Sequence, residues 1–363
     1  MNESVLFGKG YGESNLVRLS QDDWMIVDSC TNEDKRPAAL DYLITHGFDP
    51  GVCVKVIVIS HFHNDHIKGL SEIIECCKSS TVWLSNALNT EEFKQYLSAI
   101  SAPDDKFSGT REISKIMSHF GALHKAGRLK YALADRCLYK NHDGLEVISL
   151  SPCDQDIAES NVNFDNLRKI GNNVPGNTNS APLINPNNYS VVLRVYNPHI
   201  QHELLLGADL EVRKGAGWEA VCDCVLSPKP NRINLFKLPH HGSETGYHER
   251  TWLELINQAP QCILTTYNSS GLPREDMLKK YGERAKKIFC TSRPAHFKTV
   301  SNKKDILKSI DKSNSSAQFH TRRSNFGYLK VDDYLSETPT ITPYGDALEI
   351  INNTELAPTV SAG

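Results

Sequence analysis

The stretch ISHFHNDHIKGL, residues 59–70, constrains this chain more than any other part of its sequence. Three histidines and an aspartate, namely His61, His63, Asp65 and His66, occupy six positions directly after an apolar run. Imidazole and carboxylate groups are costly to bury without partners, and four in one turn seldom all find ordinary hydrogen bonds. The same groups are common ligands of metal ions. The segment therefore predicts a metal site at the end of a β-strand.

Three further segments place metal-binding side chains where a strand is expected to end. LEVISLSPCD reaches Asp154, HELLLGADLE contains Asp209, and INLFKLPHHGS contains His240 and His241. In α/β proteins, chemical groups commonly follow the carboxyl ends of strands, because loops from different strands converge there. We therefore expect these side chains to share the metal site of the histidine-rich segment.

The composition is that of a globular protein of 363 residues, 39% hydrophobic and 23% charged, with a net charge of −3. The sequence shows neither a secretory signal pattern nor an apolar run that could span a bilayer, and its ten cysteines are irregularly spaced. We therefore expect a cytoplasmic protein with reduced thiols and no membrane partner. The segment Pro273–Lys330 is basic, with 15 Lys and Arg against 5 Asp and Glu, which suits an anionic substrate or a solvated surface.

The length suggests one large domain or two small ones, and we expect a single domain over residues 1–335, the range covered by the resemblance described below. SNLVRL and WMIVDSC predict a β-hairpin, and the segments around the histidine cluster predict a strand, a helix and a second strand. Residues from about 89 to 136 carry amphipathic helical patterns and are predicted to form a helical insertion. The polar residues from about 154 to 188 are predicted to form a loop, and residues 336–363 a flexible C-terminal tail.

Taken in order, these motifs resemble those of the metallo-β-lactamase superfamily. Within it, they resemble the soluble stand-alone relatives of the metallo-β-lactamase domain of the competence DNA-uptake protein ComEC. The complete H-x-H-x-D-H motif is the most specific part of this resemblance, which covers about residues 1–335. It implies an α/β fold of the αββα sandwich type, in which two mixed β-sheets lie between helical layers and the metal site lies along one edge.

The resemblance also implies two divalent metal ions, Zn²⁺ or Mn²⁺, and a set of ligands. The candidate ligands are His61, His63, Asp65, His66, Asp154, Asp209, His240 and His241. The two histidines of the H-x-H pair would hold the first ion, Asp65 and His66 would hold the second, and Asp209 would bridge them. Either His241 or His240 would complete the second site.

One position departs from the superfamily pattern. Most members read SPGHT where this chain reads SPCDQ, so that Asp154 stands in place of a histidine. Ligation by Asp154 would make the first site richer in oxygen and shift its preference towards manganese, whereas a Cys153 thiolate would favour zinc. If neither residue ligates, the first ion would be weakly held.

Further roles follow from the resemblance. Asp65 and Asp209 would be the catalytic carboxylates, with Asp65 next to the attacking water as general acid or base. Asp28, in WMIVDSC, would orient a ligand from behind. His240 could contact a phosphate oxygen, and Ser243 could receive a phosphate at the start of the helix predicted for HERTWLELI.

The function predicted from these residues is metal-dependent hydrolysis, because two divalent ions can activate water and neutralise charge on phosphoryl oxygens. The basic segment and the resemblance to ComEC favour a phosphodiesterase or nuclease whose substrate is a nucleic acid or a nucleotide. Two alternatives stay open: a small-molecule hydrolase of the lactonase, thioesterase or β-lactamase type, and a non-catalytic metal-stabilised module that binds nucleic acid or protein.

Overall fold

The structure, a computed structural model, describes residues 2–88, 108–173, 185–228, 230–297, 326–351 and 355–356. The strands of the first sheet are β1 (Glu3–Gly8), β2 (Glu13–Arg18), β3 (Trp24–Val27), β4 (Val54–Ile59), β5 (Thr81–Ser85), β6 (Leu129–Ala132), β16 (Gly327–Asp332) and β17 (Thr340–Gly345). The strands of the second sheet are β7 (Arg136–Lys140), β8 (Glu146–Ser149), β9 (Leu193–Tyr196), β10 (Glu203–Leu206), β13 (Ile233–Lys237), β14 (Ile256–Leu264), β15 (Lys287–Cys290), β18 (Leu348–Ile351) and β19 (Glu355–Leu356). The short strands β11 (Val212–Arg213) and β12 (Ala216–Gly217) form a separate hairpin.

The helices of the described residues lie on the outer faces of these sheets and in the loops between strands. They are α1 (Ala38–Thr45), α2 (Pro50–Cys53), α3 (Asn64–Ile67), α4 (Leu70–Cys76), α5 (Ser108–Lys125), α6 (Asp154–Asn173), α7 (Trp218–Asp223), α8 (Glu249–Glu254) and α9 (Glu275–Gly282).

Both large sheets are mixed. The first has the order β17-β16-β1-β2-β3-β4-β5-β6, with β3 to β6 parallel and the other pairs antiparallel. The second has the order β19-β18-β15-β14-β13-β10-β9-β8-β7, and its parallel part is β10, β13, β14 and β15. Parallel strands run in the same direction, so their carboxyl ends all reach the same edge of the sheet, and a crossover connection returns the chain to the opposite edge each time.

Three apolar layers join the sheets and helices. Strand β4 shows how one sequence supplies two of them: Ile57 and Ile59 pack towards helices α1, α4 and α5, whereas Val56 and Val58 pack between the two sheets. A strand buried on both faces needs an almost continuous apolar run, which VCVKVIVIS provides. The third layer lies between the outer face of the second sheet and helices α7, α8 and α9.

This four-layer arrangement of helix, sheet, sheet and helix confirms the predicted αββα class with two mixed sheets. The predicted N-terminal hairpin is also present, because β2 and β3 pair antiparallel. The apolar pattern of these strands indicated the hairpin, whereas the αββα class was implied by the resemblance of the motifs to a known superfamily.

The structure differs from three boundary predictions. Within the predicted tail, residues 340–351 contribute β17 and β18, which pair with β16 and β15. The predicted loop from 154 begins with the long helix α6, and residues 174–184 lie outside the described residues. Of the predicted helical insertion, residues 89–107 lie outside the described residues, α5 is helical as expected, and β6 belongs to the first sheet. The tail prediction rested on the lack of a clear apolar period after residue 335. The loop prediction rested on polarity, although a helix with one buried face can still have a largely polar sequence.

Candidate metal centre

The candidate ligands converge because strand ends from both sheets meet at one edge. Asp28 directly follows β3, and the histidine-rich segment follows the neighbouring parallel strand β4. In the second sheet, Asp209 comes after β10 and His241 comes after its parallel neighbour β13. The site is thus assembled from loops that share one edge of the sandwich.

Four buried side chains form the centre of this edge: Asp65, His66, Asp209 and His241. We call them the tetrad. His66 Nε2 lies 3.5 Å from Asp65 Oδ2 and 3.4 Å from Asp209 Oδ2. His241 Nε2 lies 3.1 Å from Asp65 Oδ2 and 3.4 Å from Asp209 Oδ2. Each imidazole therefore points the same nitrogen at the same two carboxylates.

These spacings fit a metal ion. Zinc binds nitrogen and carboxylate oxygen at about 2.0–2.2 Å in a tetrahedral arrangement, whose ligand atoms then lie about 3.3–3.6 Å from one another. The four tetrad distances run from 3.1 to 3.5 Å. In addition, His66 Nε2 and Asp209 Oδ1 are buried without a hydrogen-bond partner among the described residues. Such unpaired buried atoms are expected where an ion belongs.

The two carboxylates and the two imidazoles of the tetrad shift one another's pKa values. Burial alone would raise the pKa of Asp209, but the facing His66 and His241 hold it well below its usual range, and they lower the pKa of Asp65 in the same way. Burial would lower the pKa of His241, but Asp209 and Asp65 raise it to about 9. The pKa of His66 is raised well above its usual value by the same carboxylates. Without metal, the tetrad therefore holds two carboxylates and two imidazolium groups.

Asp28 lies behind His66 and engages its second ring nitrogen. Its Oδ2 accepts a hydrogen bond from His66 Nδ1 at 2.8 Å and another from the Ser60 hydroxyl at 2.6 Å, while its Oδ1 accepts from the Ser60 amide at 2.8 Å. Full burial raises the pKa of Asp28, although the bonds from His66 and Ser60 oppose that rise. With Nδ1 engaged, His66 is held with Nε2 facing the tetrad.

His61 and His63 lie next to the tetrad and face each other. His61 Nε2 is 3.2 Å from His63 Nδ1, and the Ser60 hydroxyl engages the other nitrogen of His61 at 2.9 Å. Burial lowers the pKa of both imidazoles, so both are neutral near pH 7, as metal ligands must be. This pair is half of the predicted first site. No third side chain joins both histidines to complete a metal-binding group in the part of the chain that the structure describes.

The structure separates His241 from its neighbour His240. His241 belongs to the tetrad, whereas His240 lies outside it, lines the adjoining cavity and engages both of its nitrogens. His240 Nε2 lies 3.1 Å from Asn187 Nδ2, and its Nδ1 lies 2.9 Å from Thr245 Oγ1 and 3.3 Å from Glu211 Oε1. Of the two histidines, the structure therefore brings only His241 to the other candidate ligands.

Asp154 and Ser243 are not brought to the tetrad. Asp154 is the exposed first residue of α6, and the buried carboxylate of that turn is Asp156, which accepts a bond from the Cys153 amide and pairs with Arg213. Ser243 caps the short 3₁₀ turn Glu244–Gly246, six residues before the first residue of α8, and so does not lie at the N-terminus of that helix. The predicted roles of Asp154 and Ser243 stay predictions.

The backbone is strained at the ligand positions. Asp28, Ala208, His240 and His241 all have left-handed φ angles, between 43° and 59°. Residues other than glycine seldom adopt this conformation, which is disfavoured by roughly 1–3 kcal/mol, and they do so mainly at functional sites. The turn at His240 and His241 is what allows two successive histidines to point in different directions.

A cavity of about 260 Å³ opens onto Asp65, Asp209 and His241. Its walls are mostly neutral and polar and include Tyr11, Asn64, Asn187 and Tyr267. The Tyr267 ring stacks on His241, with centroids 5.2 Å apart, and Tyr11 lies 5.8 Å from Tyr267. Burial and the nearby Asp65 raise the pKa of Tyr11, so its hydroxyl is a hydrogen-bond donor at neutral pH.

Several of these neighbours were not found from the sequence. Tyr11 lies in FGKGYGES, which as a glycine-rich segment indicated only a turn, and Tyr267 lies in a loop without a recognisable motif. A third neighbour is Lys237, whose Nζ lies 3.9 Å from Asp209 Oδ1. The sequence did offer a signal for it, since a lysine inside the apolar strand INLFKL has to be paired if it is buried.

Among known proteins, matches to this chain were found only with solved structures. No family model matches the chain, and no curated protein matches it either. Among solved structures, AbOPH, a hydrolase in the β-lactamase superfamily, is 14% identical, with 54% of this chain and 55% of AbOPH covered and a TM-score of 0.30. The chain therefore spans about half the length of AbOPH.

Two further solved structures come from soil metagenomes. The subclass B3 metallo-β-lactamase MEM-A1 is 12% identical, with 67% of this chain and 81% of that chain covered and a TM-score of 0.34. The class B3 di-zinc metallo-β-lactamase LRA-12, from Alaskan soil, is 12% identical, with 58% and 61% covered and a TM-score of 0.30. Identities at this level do not identify an activity.

None of the described helices has the length and apolar character that crossing a membrane requires.

Proposed function

We propose that this chain is a metal-dependent hydrolase that cleaves phosphodiester bonds in a nucleic acid or a nucleotide. The observation that carries the proposal is the tetrad, whose four imidazole–carboxylate distances match those of a metal coordination sphere and which lies next to a cavity. Asp65, His66, Asp209 and His241 would hold one divalent ion, and His61 and His63 would contribute to a second. When bound, such ions activate water and neutralise charge on the substrate.

The residues of the chain supply position and protons. Asp65 and Asp209 are held ionised by the facing histidines, so both are ready to ligate, and Asp65 borders the cavity where it can accept a proton from water. Tyr11 and Asn64 can donate hydrogen bonds to substrate oxygens from the cavity wall. The stacked rings of Tyr267 and His241 limit the freedom of this imidazole.

Charge supports a phosphodiester as the substrate. Within the described residues, no lysine or arginine lines the cavity, so the ions would have to neutralise the anion. That arrangement suits a diester, which has one negative charge, better than a terminal phosphate with two. The resemblance of the motifs to those of ComEC and the basic composition of Pro273–Lys330 support a nucleic acid.

The basic segment itself is only partly described. Residues 298–325, which hold seven of its 15 basic side chains, lie outside the described residues. In the described part, Lys279 pairs with Glu275, Arg284 pairs with Glu249, and Lys287 pairs with Glu349. Contact between this segment and the backbone of a substrate stays a proposal.

The cavity volume supports a second candidate. At about 260 Å³, the cavity is smaller than most pockets that enclose a drug-sized ligand, which measure roughly 300–1,000 Å³. A small-molecule hydrolase that acts on a compact substrate, such as a small lactone or thioester, would be consistent with that size. The two candidates differ in what reaches the tetrad: one bond of a long polymer or an entire small substrate.

The proposal is tested with protein stripped of metal and reloaded with Zn²⁺ or Mn²⁺. The substrates are bis-p-nitrophenyl phosphate, single- and double-stranded DNA, RNA, cyclic nucleotides, a lactone and a thioester. We expect metal-dependent cleavage of the phosphodiesters, reduced at least 100-fold in Asp209→Asn. The matched control is Asp223→Asn, which makes the same change at an exposed aspartate paired with Arg250.

The outcomes separate the candidates. Cleavage of only the lactone or thioester would select the small-molecule hydrolase, and metal binding without any turnover would contradict hydrolysis. Absence of metal binding would favour the non-catalytic module. Metal content measured in parallel on Asp154→Asn decides whether that exposed aspartate is a ligand, since a ligand change should lower the amount of metal bound.

A further inference from the structure

Behind His241, away from the cavity, lies a buried polar chain that no catalytic role explains. His241 Nδ1 is 2.8 Å from Thr265 Oγ1, and Thr265 Oγ1 donates to Glu13 Oε2 at 2.6 Å. Glu13 Oε1 lies 2.5 Å from Lys237 Nζ. Glu13 and Lys237 are both fully buried, at 0% exposure, and Thr265 is equally inaccessible.

The protons available on each group fix the direction of the hydrogen bonds between His241, Thr265 and Glu13. A threonine hydroxyl has one hydrogen, and here it is directed at Glu13. Its oxygen can then only accept from His241, so the Nδ1 of that imidazole must carry a proton. The Glu13 carboxylate, next to the buried ammonium of Lys237, accepts the hydroxyl proton of Thr265. If Thr265 donated to His241 instead, Glu13 would lose this hydrogen bond.

The same pair also reaches the neighbouring ligand. Lys237 Nζ donates to the backbone carbonyl of Ala208 at 3.0 Å and lies 3.9 Å from Asp209 Oδ1. Ala208 is one of the residues with a left-handed backbone, and its carbonyl also accepts from the His240 amide at 3.0 Å. Glu13 and Lys237 thus support both strand ends from which the second sheet supplies its tetrad residues.

We infer that Thr265 and Glu13 are positioning residues that hold a proton on His241 Nδ1, so that Nε2 is the nitrogen that gives up its proton to a metal ion, and that direct Nε2 at Asp65 and Asp209 and so set the metal affinity of the tetrad. The inference rests on the proposed metal centre and adds the residues that prepare it. Histidine ligands commonly have their second nitrogen fixed in this way, and loss of the partner typically weakens metal binding 10–100-fold. Here the carboxylate acts through a hydroxyl, whereas Asp28 contacts His66 directly.

The test removes the hydroxyl and keeps the shape of the side chain. Thr265→Val should weaken Zn²⁺ binding, measured by competition with a chromophoric chelator, by about 10–100-fold. Thr265→Ser, which restores the hydroxyl, should return the affinity to within a few-fold of the original. The matched control is Thr266→Val, which removes the next buried threonine hydroxyl, one bonded to Ser292 and not to the tetrad.

A second readout does not depend on metal or turnover. In ¹⁵N-labelled protein, the Nδ1 proton of His241 should give a slowly exchanging resonance that is lost in Thr265→Val and present in Thr265→Ser and Thr266→Val. Equal metal affinity in Thr265→Val, or an equal loss in Thr266→Val, would overturn the inference. If the original protein bound no metal, the proposed function would fail, whereas the presence or absence of this resonance would still decide whether the relay exists.

Discussion

His241 and His66 face two carboxylates at the bottom of the cavity, so each ligand position is also a proton-binding position. The pKa of His241 is raised to about 9 because Asp209 and Asp65 outweigh the opposing effect of burial. A metal ion must therefore displace protons from these imidazoles when it binds. Stability and metal affinity are linked through the same residues.

In the metal-free protein, we expect stability to fall between pH 6.5 and pH 9. A histidine whose pKa is raised on folding stabilises the native state fully below its unfolded pKa of about 6.5, and this contribution disappears as the pH rises through the folded value of about 9. The free energy of unfolding, measured with urea, should drop on the order of 1–3 kcal/mol over this range.

His241→Gln is the comparison for this experiment, since glutamine is uncharged at every pH. The variant should show a shallower decrease over the same range, with the remaining slope due to His66, whose pKa is raised by the same carboxylates. An identical slope in both proteins would show that His241 is not protonated in the metal-free native state.

At the scale of elements, the C-terminal strands complete both sheets. β17 forms one edge of the first sheet next to β16, and β18 pairs with β15 in the second sheet. Leu348, in β18, is 5% exposed and packs in the outer apolar layer of the second sheet. Within the segment predicted to be a flexible tail, residues 340–351 are therefore part of the two sheets.

This position gives a direct test of the C-terminal strands. Leu348→Ala should destabilise the protein by about 2–5 kcal/mol, because it removes buried methyl groups and leaves a cavity. Leu253→Ala is the matched control, since Leu253 is 63% exposed and should change stability by about 0.5 kcal/mol or less. Similar urea midpoints for the two variants would indicate that β18 does not contribute to the stable core.

At the scale of the whole molecule, the tetrad joins the two sheets. Asp65 and His66 come from the loop after β4 in the first sheet, and Asp209 and His241 come from loops after β10 and β13 in the second. A ligand that binds all four would connect the two halves of the sandwich and bind the native state only. Metal binding should therefore stabilise the entire fold.

Thermal unfolding measures this connection. Zn²⁺ at 100-fold above its Kd should stabilise the protein by about 2.7 kcal/mol and raise Tm by several degrees, and a chelator should reverse the change. Asp209→Asn should lose most of the increase, whereas Asp223→Asn should retain it. A Tm that does not respond to metal or chelator would contradict a metal centre between the sheets.

Some features of this protein follow from local sequence patterns, and others follow only from contacts between distant segments. The run VCVKVIVIS had to be a strand buried on both faces, and HFHNDH had to gather at its end, because side chains within one turn are neighbours in every fold. Such short-range patterns predict individual strands and the metal-binding side chains at their ends, since alternation and spacing express which groups share a face or a turn, whereas the class of fold and the roles of the ligands were implied by the resemblance of the ordered motifs.

Contacts between distant segments were decided only by the tertiary structure. His241 meets Asp65 across 176 positions of sequence, and Thr265 meets Glu13 across 252. Whether His240 or His241 reached the tetrad depended on two left-handed residues in one turn, and the exposed position of Asp154 depended on where α6 begins. Sequence determined which chemical groups the chain could bring to a metal ion; the pairing of strands in two sheets decided which of them meet, because only that pairing brings remote loops to one edge.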